Sequence, residues 1–349
     1  MKILADASLP GLSDCFPNPF ELTRFHHPSD LIEKLPGQDI LLCRSTLKVT
    51  AELLNHSNLR YVATASSGID HIDEKYLKTQ GIKLIDAKGS NARAVADYVL
   101  ASLAYLQQNT AFRGHRAFVI GMGAVGSVVA KALSATGFEV VSYDPLKSNF
   151  QSCDFEAISA CHLICVHANL HDNPPYPSRQ LLNADTLALL QPNSAIINAS
   201  RGDIIDEDAL LKLKTPIYYG TDVFLKEPAV NDHIIDFASL CTPHIAGHSL
   251  ESKVGAVIMV SQKLHQDFQL ALPNYPQLSK IQAPVFSDQP SWQDYVLSLY
   301  NPIDETLALK LSGDKKQAFI ELRKAHQFRH DFNCYESPWR ESFSCLLDC

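Results

Sequence analysis

Arg116-Ala-Phe-Val-Ile-Gly121-Met-Gly123-Ala-Val-Gly126-Ser-Val-Val-Ala130 is the stretch on which the reading of this chain turns. An apolar run suited to a buried strand stops at a glycine, and helix-spaced apolar residues begin at Val125. Glycine at 121 permits a tight turn, glycine at 123 lets a pyrophosphate approach the backbone, and glycine at 126 lets helix and strand pack closely. With Ala124 and Val125 they open a helix whose unpaired N–H groups suit phosphate. A ligand-free glycine turn is the competing reading of such a hexapeptide. Asp144 favours the dinucleotide, because it follows the next apolar strand, residues 139–143, at 23 residues from Gly121. A carboxylate there accepts hydrogen bonds from the adenine ribose and repels a 2′-phosphate, which selects NAD over NADP.

The same strand–helix alternation continues on both sides. Upstream, residues 2–7, 40–44, 60–65 and 83–86 read as buried strands. Helix spacing at 50–55 and 72–79 separates them, with Gly81 as a helix stop. A long apolar-rich helix pattern at 91–108 links the two series. Downstream, 162–167, 195–198, 217–220 and 240–242 read as strands, with helices at 125–136, 206–214 and 249–269. Such alternation calls for parallel sheets with helices on both faces. Pro273, Pro276, Pro284 and Pro290 punctuate a linker-like stretch before a small C-terminal unit.

Three of the downstream strand ends carry chemistry. Ile197-Asn-Ala-Ser-Arg201-Gly202 puts a guanidinium where it can grip a carboxylate through two parallel hydrogen bonds. Asp222-Val-Phe-Leu-Lys-Glu227-Pro228 follows the next strand, and Thr242-Pro-His244-Ile-Ala-Gly247-His248 the last. Singly, each has a bland reading: a surface salt bridge for Arg201, a structural histidine for His244. In that order they suit removal of a hydroxyl proton by a neutral imidazole that a carboxylate supports.

With these motifs the chain resembles the D-isomer-specific 2-hydroxyacid dehydrogenases over roughly residues 1 to 280. The resemblance implies Arg201 for substrate binding and catalysis, Glu227 to support the histidine, and His244 as acid/base. It implies an α/β fold of two doubly wound parallel-sheet domains, a flavodoxin-like substrate domain and a Rossmann NAD domain, plus a small C-terminal α+β unit. The implied boundaries are 1–92 with 256–280 for substrate, 93–255 for NAD, and 281–349 for a dimerisation unit. A closer likeness within the family rests on Cys-Arg44-Ser45-Thr, Ala-Thr-Ala-Ser66-Ser-Gly68, the Pro-Pro-Tyr loop at 174–176 and His-Ile-Ala-Gly-His-Ser-Leu-Glu at 244–251. It implies a small phosphorylated 2-hydroxy acid as substrate, a homodimer, and substrate contacts from Ser45, Ser66 and His248. The cofactor pocket would include Gly121, Gly123, Ala124, Val125, Gly126, Asp144, Ala168, Ala199, Ser200, Arg201, Asp222 and Gly247. Arg44, beside Ser45, is a further candidate for the phosphate. Two rivals stay open: the same chemistry on 3-phosphoglycerate or glycerate, and a non-catalytic NAD(H)-sensing protein, which has no need of an Arg–Glu–His set.

Composition bounds the rest. At 46% hydrophobic and 19% charged residues, the 349-residue chain can fill real cores, and disorder is excluded. Thirty basic against 38 acidic residues leave no chain-wide positive surface for nucleic acid. The longest charge-free apolar run, 117–130, is too short and glycine-rich to cross a membrane, and the N-terminus lacks a signal pattern, so a soluble, cytoplasmic protein is expected. Nine cysteines without a CxxC suggest neither disulfides nor a metal site, although Cys345 and Cys349 are spaced one helical turn apart.

Overall fold

The computed structural model describes residues 1–55 and 57–348, and its chain divides into two compact units, 1–91 with 250–279 and 92–249 with 280–349. The Cys345–Cys349 pairing considered above therefore lies partly outside the described residues.

In the first unit, β1 (Lys2–Asp6), β2 (Glu21–Phe25), β3 (Ile40–Cys43), β4 (Tyr61–Thr64) and β5 (Lys83–Ile85) form a parallel sheet in the order β2-β1-β3-β4-β5. Central strands β3 and β4 are buried at every position, as strands covered on both faces must be. Helix Leu250–Asp267 packs Ala256, Val257, Val260 and Leu264 against one face, and helices Leu31–Lys34, Ala51–Leu54 and Glu74–Gln80 cover the other. Local chemistry sets the helix ends. Thr50 Oγ1 accepts from the Leu53 N–H, Asp73 Oδ1 from the Tyr76 N–H, and Gly81 closes its helix at φ 68°. The sequence reading passed over β2, an edge strand whose Glu21, Thr23 and Arg24 are exposed and dilute its apolar alternation.

In the second unit, β6 (Arg116–Ile120), β7 (Glu139–Tyr143), β8 (Leu163–Val166), β9 (Ala195–Asn198), β10 (Tyr218–Thr221) and β11 (Leu240–Cys241) form a parallel sheet in the order β11-β10-β9-β8-β6-β7. Successive residues alternate between two cores: Ala117 and Val119 face helices Ala92–Asn109 and Ala124–Ala135, while Phe118 and Ile120 face the opposite layer. The order reverses at β6, with β7 on one side and β8 on the other, which opens a ligand-binding crevice at the carboxyl ends. Residues 280–349 cluster here, whereas the sequence suggests a separate unit at 281–349. Tyr295, Phe332 and Leu347 enter the core on one face of this sheet, and Leu309 and Phe319 the core on the other. Within that segment β12 (Ile281–Gln282) pairs in parallel with β13 (Tyr335–Glu336). Among the described residues no helix is long and apolar enough to cross a membrane.

Two glycines of the first unit should respond oppositely to an added methyl. Gly81→Ala forces a side chain into the left-handed region and is expected to cost about 1–2 kcal/mol. Gly255→Ala lies in a helix with nothing within 4 Å of the new Cβ and should stabilise by about 0.5–1 kcal/mol. Urea unfolding followed by circular dichroism measures both.

Candidate active site

The glycine turn has the shape a dinucleotide needs. Gly121 sits at φ 88°, and a Cβ there would lie 2.5 Å from the Ala168 N. At Gly126 it would lie 1.8 Å from the Gly121 O, so helix and turn touch backbone to backbone. Gly123, the N-cap of helix Ala124–Ala135, is exposed and would meet nothing within 4 Å. The open space is thus at the second glycine, where a pyrophosphate comes against the backbone. Asp144 accepts the Met122 N–H at 2.8 Å through Oδ2, and Lys147 Nζ donates to the Met122 O at 2.5 Å, so the acid that ends β7 also fixes the turn. Beside it opens a pocket of about 360 Å³ lined by Tyr143, Asp144, Phe155, Ala168, Pro175 and Tyr176. Its mixed apolar and carboxylate walls suit a nucleoside, and the residues present fit NAD. His167, next to the turn, is buried with neither ring nitrogen hydrogen-bonded, and burial drives it down to about 3, so it stays neutral.

At the end of β9 the side chain of Asn198 shapes the next turn. It accepts the Ser200 N–H at 3.1 Å and donates to the Arg201 O at 3.0 Å. The Ser200 hydroxyl bonds the Ala168 O, which ties Ala199, Ser200 and Arg201 to the cofactor side of β8. Arg201 is half-buried and its Nη1 donates to the Ser200 O at 2.8 Å. Gly202 is required next: a Cβ there would fall 2.1 Å from the Phe224 backbone, so the arginine turn lies directly against the loop after β10.

That loop holds the carboxylate. Glu227 Oε1 accepts the Phe224 N–H at 3.0 Å, and Oε2 lies 2.7 Å from His244 Nδ1. Burial works to raise the Glu227 carboxyl, but the bond to His244, the charge of that ring, the Phe224 N–H and Arg323 together leave it below its ordinary 4.5. Glu207, buried, accepts the Leu225 N–H at 2.9 Å and fixes the same loop. His244 adopts φ 56°, a region few side chains occupy. Asp222, expected to line the cofactor pocket, is 1% exposed and works inward. Its Oδ1 accepts from Thr242 Oγ1 and the Ile245 N–H, both at 2.7 Å, and its Oδ2 from the Ala246 N–H at 2.8 Å. Gly247 and His248 follow, half-buried, with the His248 N–H on the Ile245 O at 2.8 Å.

Arg201, Glu227, His244 and the glycine turn all belong to the second unit; Ser45 and Ser66 belong to the first. Both serines follow carboxyl ends of neighbouring strands, β3 and β4, whose last residues Cys43 and Thr64 are paired. Arg44 Nε is held 2.8 Å from Asp6 Oδ2, at the end of β1. Burial opposes ionisation of Asp6, while Ser8 and Arg44 outweigh it and bring the carboxyl below 3.8. Sequence reasoning missed Asn198, Glu207 and the inward task of Asp222. The signal for the first was present: an amide closing a strand that is apolar at every other position. Among the described residues no group of three or more His, Cys, Asp or Glu gathers to hold a metal.

Residues 97–246 match the family model of the D-isomer specific 2-hydroxyacid dehydrogenase, NAD binding domain. An Erythronate-4-phosphate dehydrogenase of Legionella pneumophila (strain Lens) is 51% identical over 340 residues, 96% of each chain. One of Coxiella burnetii (strain RSA 331 / Henzerling II) is 32% identical over 96% of this chain and 94% of its own. The NAD+-bound 3-phosphoglycerate dehydrogenase of Entamoeba histolytica shares the fold, at TM-score 0.67 and 20% identity, over 80% of this chain and 99% of its own. The chain therefore belongs to the D-isomer specific 2-hydroxyacid dehydrogenase family, and its second unit contains the NAD-binding domain.

Two outcomes test the site without substrate. Gly123→Ala should fold normally yet weaken NADH binding at least tenfold by fluorescence titration, whereas Gly126→Ala should lower the melting temperature, because its Cβ collides with the Gly121 O. The second concerns Glu227. A carboxyl held below its ordinary value contributes stability above that value and loses it as the pH falls through the lowered one. Glu227→Gln should therefore destabilise by about 1 kcal/mol at neutral pH and flatten the acid-side fall of the melting temperature below pH ~4.5, read by calorimetry.

Proposed function

We propose that this chain oxidises erythronate 4-phosphate at C2 to (R)-3-hydroxy-2-oxo-4-phosphooxybutanoate with NAD, as a cytoplasmic homodimer serving pyridoxal 5′-phosphate (vitamin B6) biosynthesis. The observation that carries the reading is the 2.7 Å pair of His244 and Glu227 at strand ends of the unit that contains the glycine turn. Identity of 51% across 96% of an Erythronate-4-phosphate dehydrogenase supports the choice of substrate over 3-phosphoglycerate or glycerate.

The tautomer follows from Glu227. An ionised carboxylate only accepts, so Nδ1 of His244 carries the hydrogen that lies on Oε2. Nε2 is then left with its lone pair and takes the C2 hydroxyl proton, and the resulting imidazolium is stabilised by the adjacent carboxylate. Arg201 grips the substrate carboxylate and polarises the forming carbonyl; its bond to the Ser200 O limits its freedom beforehand. NAD, when bound, supplies the hydride acceptor. Gly121, Gly123, Ala124, Val125 and Gly126 would hold its pyrophosphate, Asp144 its adenine ribose, and Ala168, Ala199, Ser200 and Gly247 the remainder. Ser45, Ser66 and His248 would contact the substrate, with Arg44, steadied by Asp6, facing the phosphate charge.

NADH formation from erythronate 4-phosphate tests this at 340 nm. His244→Ala should lower kcat by about 10²–10⁴-fold, and Arg201→Ala should both lower kcat and raise KM. Wild-type turnover in both variants contradicts the mechanism, and preference for glycerate or 3-phosphoglycerate contradicts the substrate.

A further inference from the structure

Residues 280–349 supply none of the groups in the mechanism above, yet they hold both loops that carry it. Arg329 is 7% exposed, and its Nη2 donates to the Ala246 O and, at 3.2 Å, to the Ala94 O. The N–H of the same Ala246 is bonded to Asp222 Oδ2 at 2.8 Å. The residue two places after His244 is thus gripped from opposite sides, by a buried carboxylate at its N–H and a buried guanidinium at its carbonyl. Such a double grip is what a side chain at φ 56° needs, because a positive φ persists only where the surroundings over-determine it.

Arg329 is itself anchored. Its guanidinium lies 4.8 Å from the centre of the Tyr300 ring. The segment that carries it is sewn to helix Ala92–Asn109, where Asp97 accepts the Phe332 N–H at 2.8 Å and pairs with Arg93 at 2.8 Å. Burial pushes Asp97 up to about 7, against Arg93 and with Asp331 adding to the rise. The second loop is met by helix Lys315–Ala325. Phe319 packs edge-on against Phe224 at 6.0 Å between ring centres, and the charge of Arg323, four residues on, favours ionised Glu227.

We propose that Arg329 is a positioning residue for His244, so that the C-terminal segment forms part of the acid/base apparatus of its own chain. The proposal rests on the function given above. Arg329→Met removes the carbonyl clamp while keeping an unbranched side chain, and Arg329→Lys keeps the charge with a shorter reach.

Kinetics with erythronate 4-phosphate, NADH fluorescence titration, and proton–carbon spectra of the histidine rings in the substrate-free protein test it. Arg329→Met should lower kcat about 10–100-fold with KM within threefold and NADH affinity within twofold, and should move the His244 ring resonance. Arg329→Lys should recover part of kcat. A folded Arg329→Met protein with wild-type kcat and an unmoved His244 resonance overturns the proposal. Should Arg329→Met not fold, an Arg329→Lys protein with wild-type kcat and an unmoved His244 resonance overturns it instead. If wild type fails to oxidise erythronate 4-phosphate, the assigned function falls, and the His244 resonance still reads the clamp.

Discussion

A carboxylate withdrawn from solvent governs the geometry of the second unit. Asp222 leaves β10 directly, so its position is fixed by the strand, and its two oxygens take the Thr242 hydroxyl and the N–H groups of Ile245 and Ala246. Burial pushes this carboxyl up, while the charge of His244, the Thr242 hydroxyl and the two N–H groups pull it back. A buried carboxylate is costly unless its lone pairs are filled, and these are filled by the turn that carries His244. Sheet and histidine turn are thereby joined through hydrogen bonds rather than apolar packing, which fixes direction as well as distance.

The remaining parts follow from parallel topology. Every strand of the second sheet ends on the same edge, so Gly121, Asp144, Ala168, Arg201, Asp222 and the His244 turn are gathered by register and not by local sequence. Neighbouring ends are then cross-tied: Met122 to Asp144, Ser200 to Ala168, and Gly202 against Phe224. Each tie spans one gap between strands or loops, and together they make the site stiff before a substrate arrives. Pre-organisation of this kind is what converts correctly chosen groups into catalysis.

Most of this arrangement was readable because the signals were short-range. The Gly121–Gly126 spacing, the apolar runs of β6 to β10 and the polar residues that end them carry their meaning within a few positions. β2 was not legible, since an edge strand with exposed Glu21, Thr23 and Arg24 has little apolar alternation to read. Nor was the placing of residues 280–349. Nothing local in that stretch tells where its aromatic residues go, and the structure buries Tyr295, Phe319 and Phe332 in the two cores of the second sheet. Asp222 was singled out for the right neighbourhood, but its inward direction depends on the side chain, about which spacing says nothing. Arg329 was invisible for the same reason: its partners are backbone carbonyls 83 and 235 residues away.

Single-turnover hydride transfer in Asp222→Asn is the most direct test of that joint between sheet and turn. Asparagine offers one acceptor where the carboxylate offered two, and its amide hydrogens would face an N–H or the Thr242 hydroxyl. The structure predicts a folded protein in which NADH forms about 10²-fold more slowly, because the turn that carries His244, the proposed proton acceptor, loses one of its two anchoring oxygens. A folded Asp222→Asn protein that forms NADH at the wild-type rate would contradict it.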